Sequence, residues 1–340
     1  MSSVLDAEIV VNSGLENRGG NLPFSLPSNL EVLCKNYGLE TIGIDLKCDG
    51  ELDWAGLFFN RSIGNRLHIF SGGRFGYAGF SQVGGRHPLG DYMPMIESCL
   101  GNLKPATCCL TGSFLDEYGD YQIPEGWNLS EIRYLVADIA KSVDESGLSF
   151  RNAKRRSNLS RNLKRAKNLG YKCRMSTKTS DLQKWHAQCH LVRIEELGGR
   201  QWDYELLSHF LNAGSGKLAI AEDSEGNILG GCVVLCSRDV LELFMMSTPR
   251  EYLNKGINYI LAEFLYRYAF DNGINYVNWQ ASNPPVGPLV DFKKSWNATE
   301  MCFPVFSKIW DTGVTREYLE KEFKDCYVFP FTKLLGNELE

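Results

Sequence analysis

The sequence predicts an α/β protein built from two domains in tandem, each a mixed, mostly antiparallel sheet flanked by helices. Three observations carry that expectation. At 340 residues the chain exceeds the size at which one hydrophobic core keeps growing. Its second half reads as a clear succession of strand-period and helix-period runs. Between the halves, Arg151 to Arg174 holds ten Lys or Arg residues and no Asp or Glu. Domains are expected over residues 1–150 and 151–313, the second opening with this basic segment.

In the first half, Leu39–Leu46, Trp54–Asn60 and Leu67–Phe70 read as strands. Asp91–Leu103 reads as a helix leading into a strand at Ala106–Leu110, and Glu131–Ile139 is a further strand. The Gly-rich stretch Gly72–Gly79 fits neither G-x-G-x-x-G nor G-x-x-x-x-G-K-[ST], so it reads as a loop near a cleft.

In the basic block, Arg161, Lys164, Arg165 and Asn168 fall at i, i+3, i+4 and i+7 on one helical face. Leu159, Leu163 and Ala166 take the opposite face, so the helix packs apolar side down with its charge outward. Asn168-Leu-Gly170 supplies the stop. After it, Tyr171–Ser176 is a short strand. Ser180-Asp-Leu-Gln183 reads as a capping box opening a helix to Leu197. A second helix runs over Asp203–Leu211. Lys217–Glu222 and Ile228–Cys236 form an antiparallel hairpin, followed by a strand at Val240–Ser247. Ile257, Ile260, Leu261, Phe264, Leu265 and Tyr268 mark an amphipathic helix ended by Asn272-Gly273. Ile274–Gln280 is a strand, Leu289–Trp296 a helix and Met301–Ile309 a last strand. The order resembles that of the GNAT acyltransferase fold.

The chain is acidic, with net charge -5 from 36 basic and 41 acidic residues. A single dense positive block on such a protein is an electrostatic address for a polyanion, against the alternative of a solvated helix face. No apolar run approaches the roughly 20 residues of a membrane helix, so no membrane partner is expected. The acidic start, Met1 to Val11, lacks the pattern of a signal peptide. Eleven scattered cysteines fit reduced thiols in the cytoplasm. His186 and His190 lack the Glu of H-E-x-x-H, because Ala187 stands in its place. Cys232 and Cys236 lack zinc-type turns, so no metal site is expected.

Five segments resemble the Fem-type non-ribosomal peptidyltransferases, a family built from two GNAT-like domains. Ser28–Lys35 with Gly38 is similar to that family's opening helix, Arg86-His-Pro-Leu-Gly-Asp91-Tyr to its R-G-P-x-x-D-x segment, and Arg161–Gly170 to the helix joining its domains. Arg200-Gln-Trp-Asp-Tyr204 resembles an acceptor-gripping R-x-x-x-Y pair. Phe292-Lys293 resembles the Phe-Lys that ends the second domain's active cleft. The likeness spans most of Asn29–Trp310 and implies that the tail, residues 314–340, returns to the first domain. His87 departs from the Gly of the R-G-P segment, and Leu-Phe-Met-Met stands where aromatic acceptor contacts are expected, which implies a different acceptor from the usual nucleotide-linked cell-wall peptide. No long coiled-coil insertion is present.

The resemblance implies an aminoacyltransferase that moves an aminoacyl group from charged tRNA to a small amine or peptide, without cofactor or metal. Such chemistry needs a neutral amine, a donor for the developing oxyanion and a proton path to the leaving group. Lys293 would supply the positive charge and Asp91 would accept a proton or orient the amine. Without the resemblance Lys293 is a surface lysine and Asp91 an N-cap. Lys35, Arg200, Tyr204 and Phe292 would bind substrate, Arg200 and Tyr204 converging from one helical turn apart. Arg155, Arg156, Arg161, Lys164 and Arg165 would dock tRNA. Pro249–Asn258 lacks the Q/R-x-x-G-x-G/A loop of acetyl-coenzyme A users, which favours tRNA as donor. The alternatives are an N-acyltransferase using acyl-coenzyme A or an acyl carrier protein, and a non-catalytic tandem module that binds an acidic partner.

Overall fold

The computed structural model describes residues 4–10, 23–71, 79–115, 123–149, 153–199, 201–280 and 287–324. The chain divides into two compact units, Met1–Arg133 with Cys302–Glu340, and Tyr134–Met301. The divisions therefore lie at 133/134 and 301/302 rather than at 150/151 and 313/314.

Strand β1 (Leu5–Val10) pairs antiparallel with β2 (Glu40–Cys48) and was not legible in the sequence. Helix α1 (Pro27–Tyr37) starts on a proline and ends at Gly38, whose φ of 60° is the left-handed conformation glycine adopts without strain. Strands β2, β3 (Glu51–Ile63) and β4 (Arg66–Phe70) are antiparallel neighbours, and the short β5 (Phe80–Gln82) adds to β3. A 3₁₀ turn over Leu89–Tyr92 precedes α2 (Met93–Gly101), so the helix begins two residues later than expected. Strand β6 (Thr107–Thr111) then pairs parallel with β4. Trp54, Phe58, Phe80, Tyr92 and Phe306 fill the core of this unit.

Strand β7 (Asn128–Asp138) begins in the first unit, but its buried end belongs to the second, where Val136–Asp138 pair with Asn278–Tyr276. The small hairpin of β8 (Val143–Asp144) and β9 (Gly147–Leu148) leads to the basic helix α3 (Ala153–Asn168). Its Leu159, Leu163 and Ala166 are buried while Arg161, Lys164 and Arg165 are exposed, the division its 3.6-residue period demands.

Strand β10 (Lys172–Ser176) is followed by α4 (Thr179–Trp185), a π-helical turn over His186–His190 and α5 (Leu191–Leu197). The expected capping box is not made. Lys178 stands at the N-cap with no side-chain hydrogen bond, and Asp181 instead accepts from Arg174 at 2.7 Å and from Ser176 at 2.6 Å. Helix α6 (Tyr204–Asn212) is capped by Asp203, whose side chain accepts from the Glu205 amide. Strands β11 (Gly216–Glu222), β12 (Ile228–Cys236) and β13 (Val240–Ser247) are antiparallel. The short α7 (Arg250–Leu253) and long α8 (Ile257–Asp271) then lead to β14 (Tyr276–Asn278), parallel to β13. Helix α9 (Pro288–Ser295) follows.

Strand β15 (Thr299–Ile309) was expected to close the second domain, yet Val305–Ile309 pair with β6 of the first unit. Helix α10 (Arg316–Glu322) belongs to that unit as well. Arg66 bonds Asp311 at 2.7 Å and lies over the Tyr318 ring, while the Tyr318 hydroxyl meets His68 at 3.2 Å. Each unit thus contains three antiparallel strands, a helix and a parallel strand: β2-β3-β4-α2-β6 in one and β11-β12-β13-α8-β14 in the other.

Candidate active site

The two units treat their parallel strand pairs differently. Beyond β4, Ser71 continues the pairing: its amide donates to Cys109 O and its Oγ accepts from the Thr111 amide, both at 2.8 Å. In the second unit, pairing of β13 with β14 ends at Glu242 and Asn278. The next residue, Trp279, turns its amide to Leu135 O instead, at 2.8 Å. The continuation of β13, Leu243 to Thr248, therefore lines an open cleft of about 390 Å³, together with Trp279, Gln280, Phe292 and Lys293.

Lys293 reaches the cleft because α9 is fixed on both sides. Gly287, with φ of 112°, and Pro288 set its start. Its far end is clamped by an aromatic cluster in which Phe292 meets Tyr259 and Trp279 edge-on at 5.1 and 5.7 Å. The Tyr266 hydroxyl donates to Trp296 O at 2.7 Å and accepts from Trp279 Nε1 at 2.8 Å. Lys293 is therefore no surface lysine: it is only 6% exposed, and its Nζ donates to Gln280 O at 3.2 Å. Gln280 itself holds a φ of 60°, an uncommon conformation for a non-glycine residue.

Behind Lys293 lies Glu242, fully buried in β13 and missed by the sequence reading. Its Oε2 accepts from Asn278 Nδ2 at 2.9 Å, while its Oε1 and the nearby Gln280 Nε2 are buried without hydrogen-bond partners among the described residues. Burial pushes the Glu242 carboxyl up to about 8 against that hydrogen bond. Burial also brings the Lys293 ammonium down to about 8, partly offset by the charge of Glu242. Both groups thus titrate close to neutrality, the range in which a side chain best donates or accepts a proton during a reaction. Lys293 lines the cleft and Glu242 does not, so Glu242 meets the cleft only through its charge on Lys293. The signal for Glu242 was available: a lone acid between Leu241 and Leu243 in an otherwise apolar strand.

A second buried polar group borders the cleft. The π turn sets His190 so that Nε2 accepts from the Trp202 amide at 3.1 Å. The ring proton must then sit on Nδ1, which donates to Ser247 Oγ at 3.1 Å. Burial, helped by the neighbouring His186, pushes His190 down to about 4. With its one acceptor nitrogen occupied, His190 cannot take the Ser247 proton, so the pair is a brace for β13 and not a nucleophile with its base.

The remaining expected residues are distributed as follows. Phe292 is in the cleft lining. Tyr204 starts α6, its hydroxyl donating to Thr179 O at 3.4 Å. Arg200 lies outside the described residues, and residues 201–203 precede α6 without helical structure. In the first unit, Lys35 is exposed in the last turn of α1. Asp91 sits in the 3₁₀ turn, makes no capping hydrogen bond, and has His87 Nδ1 at 3.5 Å. The organiser of that segment is the buried Asp53, which accepts from the Arg86 and His87 amides and the Tyr92 hydroxyl at 2.8, 3.1 and 2.8 Å. Most of the Gly72–Gly79 loop and the side chains of Arg155 and Arg156 lie outside the described residues.

On the basic helix, Arg161 bonds Asn158 and Arg165 donates to Asn254 O at 2.9 Å. Arg174, counted in the basic block, is claimed by Asp181 and Glu222. Helix α3 also covers the start of α8: a Cβ added at Gly256 would stand 2.8 Å from Asn162 O. Among the described residues no group of three or more His, Cys, Asp or Glu is placed to hold a metal ion, and no helix is long and apolar enough to cross a membrane.

This architecture is found in solved structures. FemX superposes with a TM-score of 0.66 at 13% identity, covering 93% of this chain and 100% of FemX. The fold is a Fem-like tandem GNAT fold. L-PGS from Bacillus licheniformis is similar over 89% of this chain and 97% of its own, with a TM-score of 0.52 and 14% identity. A tandem GNAT protein from the clavulanic acid biosynthesis pathway is similar over 89% and 98%, with a TM-score of 0.50 and 11% identity. No family model matches the sequence, and no curated protein matches it.

Proposed function

We propose that this chain is an aminoacyltransferase that takes an aminoacyl group from charged tRNA and forms an amide on a small amine or peptide. The observation that carries the reading is Lys293, a buried lysine titrating near neutrality at the inner end of an open cleft. In the reaction the acceptor nitrogen attacks the ester carbonyl carbon, a C–N bond forms, and the C–O bond to the ribose breaks. The ammonium of Lys293 stabilises the oxyanion, and the proton lost by the amine ends on the departing ribose hydroxyl. Burial lowers the Lys293 value, and the charge of Glu242, where that group is ionised, offsets part of the fall.

The donor follows from the start of α8. Coenzyme A users present backbone amides there to a pyrophosphate. In this chain the loop before α8 carries the single glycine Gly256 against Asn162 O, and Asn254 O is bonded to Arg165. A bulky diphosphate is therefore disfavoured, while the exposed Arg161 and Lys164 offer charge to RNA phosphates. Asp91 is proposed to accept a proton or orient the amine, and Lys35, Arg200, Tyr204 and Phe292 to bind substrate. A second reading, acyl transfer from coenzyme A or a carrier protein, is favoured by the Leu and Met side chains of the cleft.

The test is an assay of total charged tRNA, and separately of acyl-coenzyme A, against a panel of amines read by mass spectrometry. Amide products that vanish after RNase treatment are expected. Products formed only from acyl-coenzyme A would transfer the assignment to the second reading. No product from either donor would leave a non-catalytic module.

A further inference from the structure

The cleft has a chemical character that the proposed reaction does not itself require. Its walls are Leu243, Met245, Met246, Leu253, Trp279 and Phe292. Most of its polar lining groups have partners inside the protein. Arg193 bonds Glu196 at 2.8 Å, Thr248 donates to Asn258 at 2.6 Å, and Ser247 accepts from His190 at 3.1 Å. Lys293 donates to Gln280 O, whereas Gln280 Nε2 is buried without a hydrogen-bond partner among the described residues. A polar side chain entering this space would lose its water and find most of those groups already engaged.

The apolar strip also continues past the cavity. Leu197 on α5 and Leu289 on α9 line its rim and are 61% and 58% exposed. Seven large apolar side chains are exposed among the described residues, and two of them flank this one opening. Exposed apolar groups gathered at a cleft mark a surface that a ligand covers. Met245 and Met246, both half-buried, supply unbranched walls that adapt to apolar groups of different shape.

We infer that the aminoacyl unit held in this cleft carries a large aliphatic or aromatic side chain, with its carbonyl at Lys293 and its side chain against Leu243, Met245 and Phe292. The inference rests on the proposed aminoacyl transfer for the identity of the ligand, and it names the substrate class of that same site. A cleft of about 390 Å³ accepts any aminoacyl unit by size, so discrimination comes from desolvation rather than from steric exclusion. A hydrophobic pocket distinguishes ligands differing by one methylene by roughly 10- to 200-fold. A leucyl or phenylalanyl unit is therefore preferred over a seryl or glutamyl unit by at least about tenfold.

The experiment measures equilibrium binding of non-hydrolysable 3′-aminoacylamino-3′-deoxyadenosines bearing Leu, Phe, Ser or Glu, alongside transfer from the matching charged tRNAs. Tighter binding of the Leu and Phe probes, by about tenfold or more, is the expected result. In Leu289→Glu, a change at an exposed position that spares the core, and in Met245→Glu, the preference shrinks or reverses. Equal binding of the four probes, tighter binding of Ser or Glu, or binding of none overturns the inference. Selective binding of Leu and Phe probes with no transfer from any tRNA would leave the inference standing and refute the aminoacyl-transfer reading.

Discussion

The Glu242 carboxyl offers a test that does not depend on knowing the substrate. Its proton affinity in the folded chain corresponds to about 8, against 4.5 for an unperturbed glutamate, because it is fully buried. The folded-state value lies above the unfolded one, so the stabilising contribution is complete below pH 4.5 and is lost as pH rises through about 8. Between those limits the folded state holds a proton that the unfolded state has released, and stability falls by up to about 1.4 kcal/mol per pH unit. Over the whole window the loss amounts to at most about 5 kcal/mol. Lys293 acts in the opposite sense above it. With its value lowered from 10.5 to about 8, stability recovers between pH 8 and 10.5, where only the unfolded lysine holds the proton. Glu242→Gln keeps the hydrogen bond from Asn278 and removes the titration. Urea denaturation of the variant and the parent chain from pH 5 to 9 reads this group, together with its effect on Lys293, as the difference between the two. The stability of the variant relative to the parent should climb steadily from pH 5 to 8 and then level. A difference that stays flat with pH would mean that Glu242 ionises as an exposed carboxylate does, and the proton coupling to Lys293 would fall with it.

Other expectations follow from the same site. Lys293→Met should lower kcat by roughly a hundredfold or more, the scale of losing an oxyanion donor; a change confined to KM would assign it to binding alone. In the parent chain kcat should fall as pH rises through about 8, where the Lys293 ammonium loses its proton. In Glu242→Gln that limb should move to lower pH, since the Glu242 charge raises the Lys293 value; an unmoved limb refutes the coupling. Reversing Arg161 and Lys164 to Glu should weaken tRNA binding and lower the slope of log K against log salt by roughly 0.7–0.9 per lost phosphate contact. Unchanged affinity and slope in the folded variant would reduce the helix to a solvated face.

The legible parts of this molecule were those fixed by local pattern. Leu159, Leu163 and Ala166 are buried beneath an exposed basic face, as their spacing required, and the hairpin and amphipathic helix of residues 217–271 lie where their periodicities put them. What local pattern cannot report is the choice of partner. Strands β7 and β15 each have the period of a strand, but long-range pairing decides that Val136–Asp138 join Asn278–Tyr276 and Val305–Ile309 join β6. Asp181 looked like part of a capping box and serves Arg174 instead, because β10 brings that guanidinium within 2.7 Å. The site was half legible. Phe292-Lys293 was marked by resemblance, whereas the π turn that positions His190 leaves no trace in the spacing of residues 182–194. Asp53, which fixes the Arg86–Tyr92 segment, stands just outside the strand expected at Trp54–Asn60, and nothing in the local pattern marks it.

The most direct measurement is single-turnover transfer from purified aminoacyl-tRNA to an amine acceptor, followed in the parent chain and in Lys293→Met with tRNA affinity measured in parallel. The account expects an amide product in the parent, destroyed as a signal by prior RNase treatment, and a rate about a hundredfold lower in the variant with tRNA affinity unchanged. A variant as fast as the parent, or a parent whose product forms equally well after RNase treatment, would contradict it.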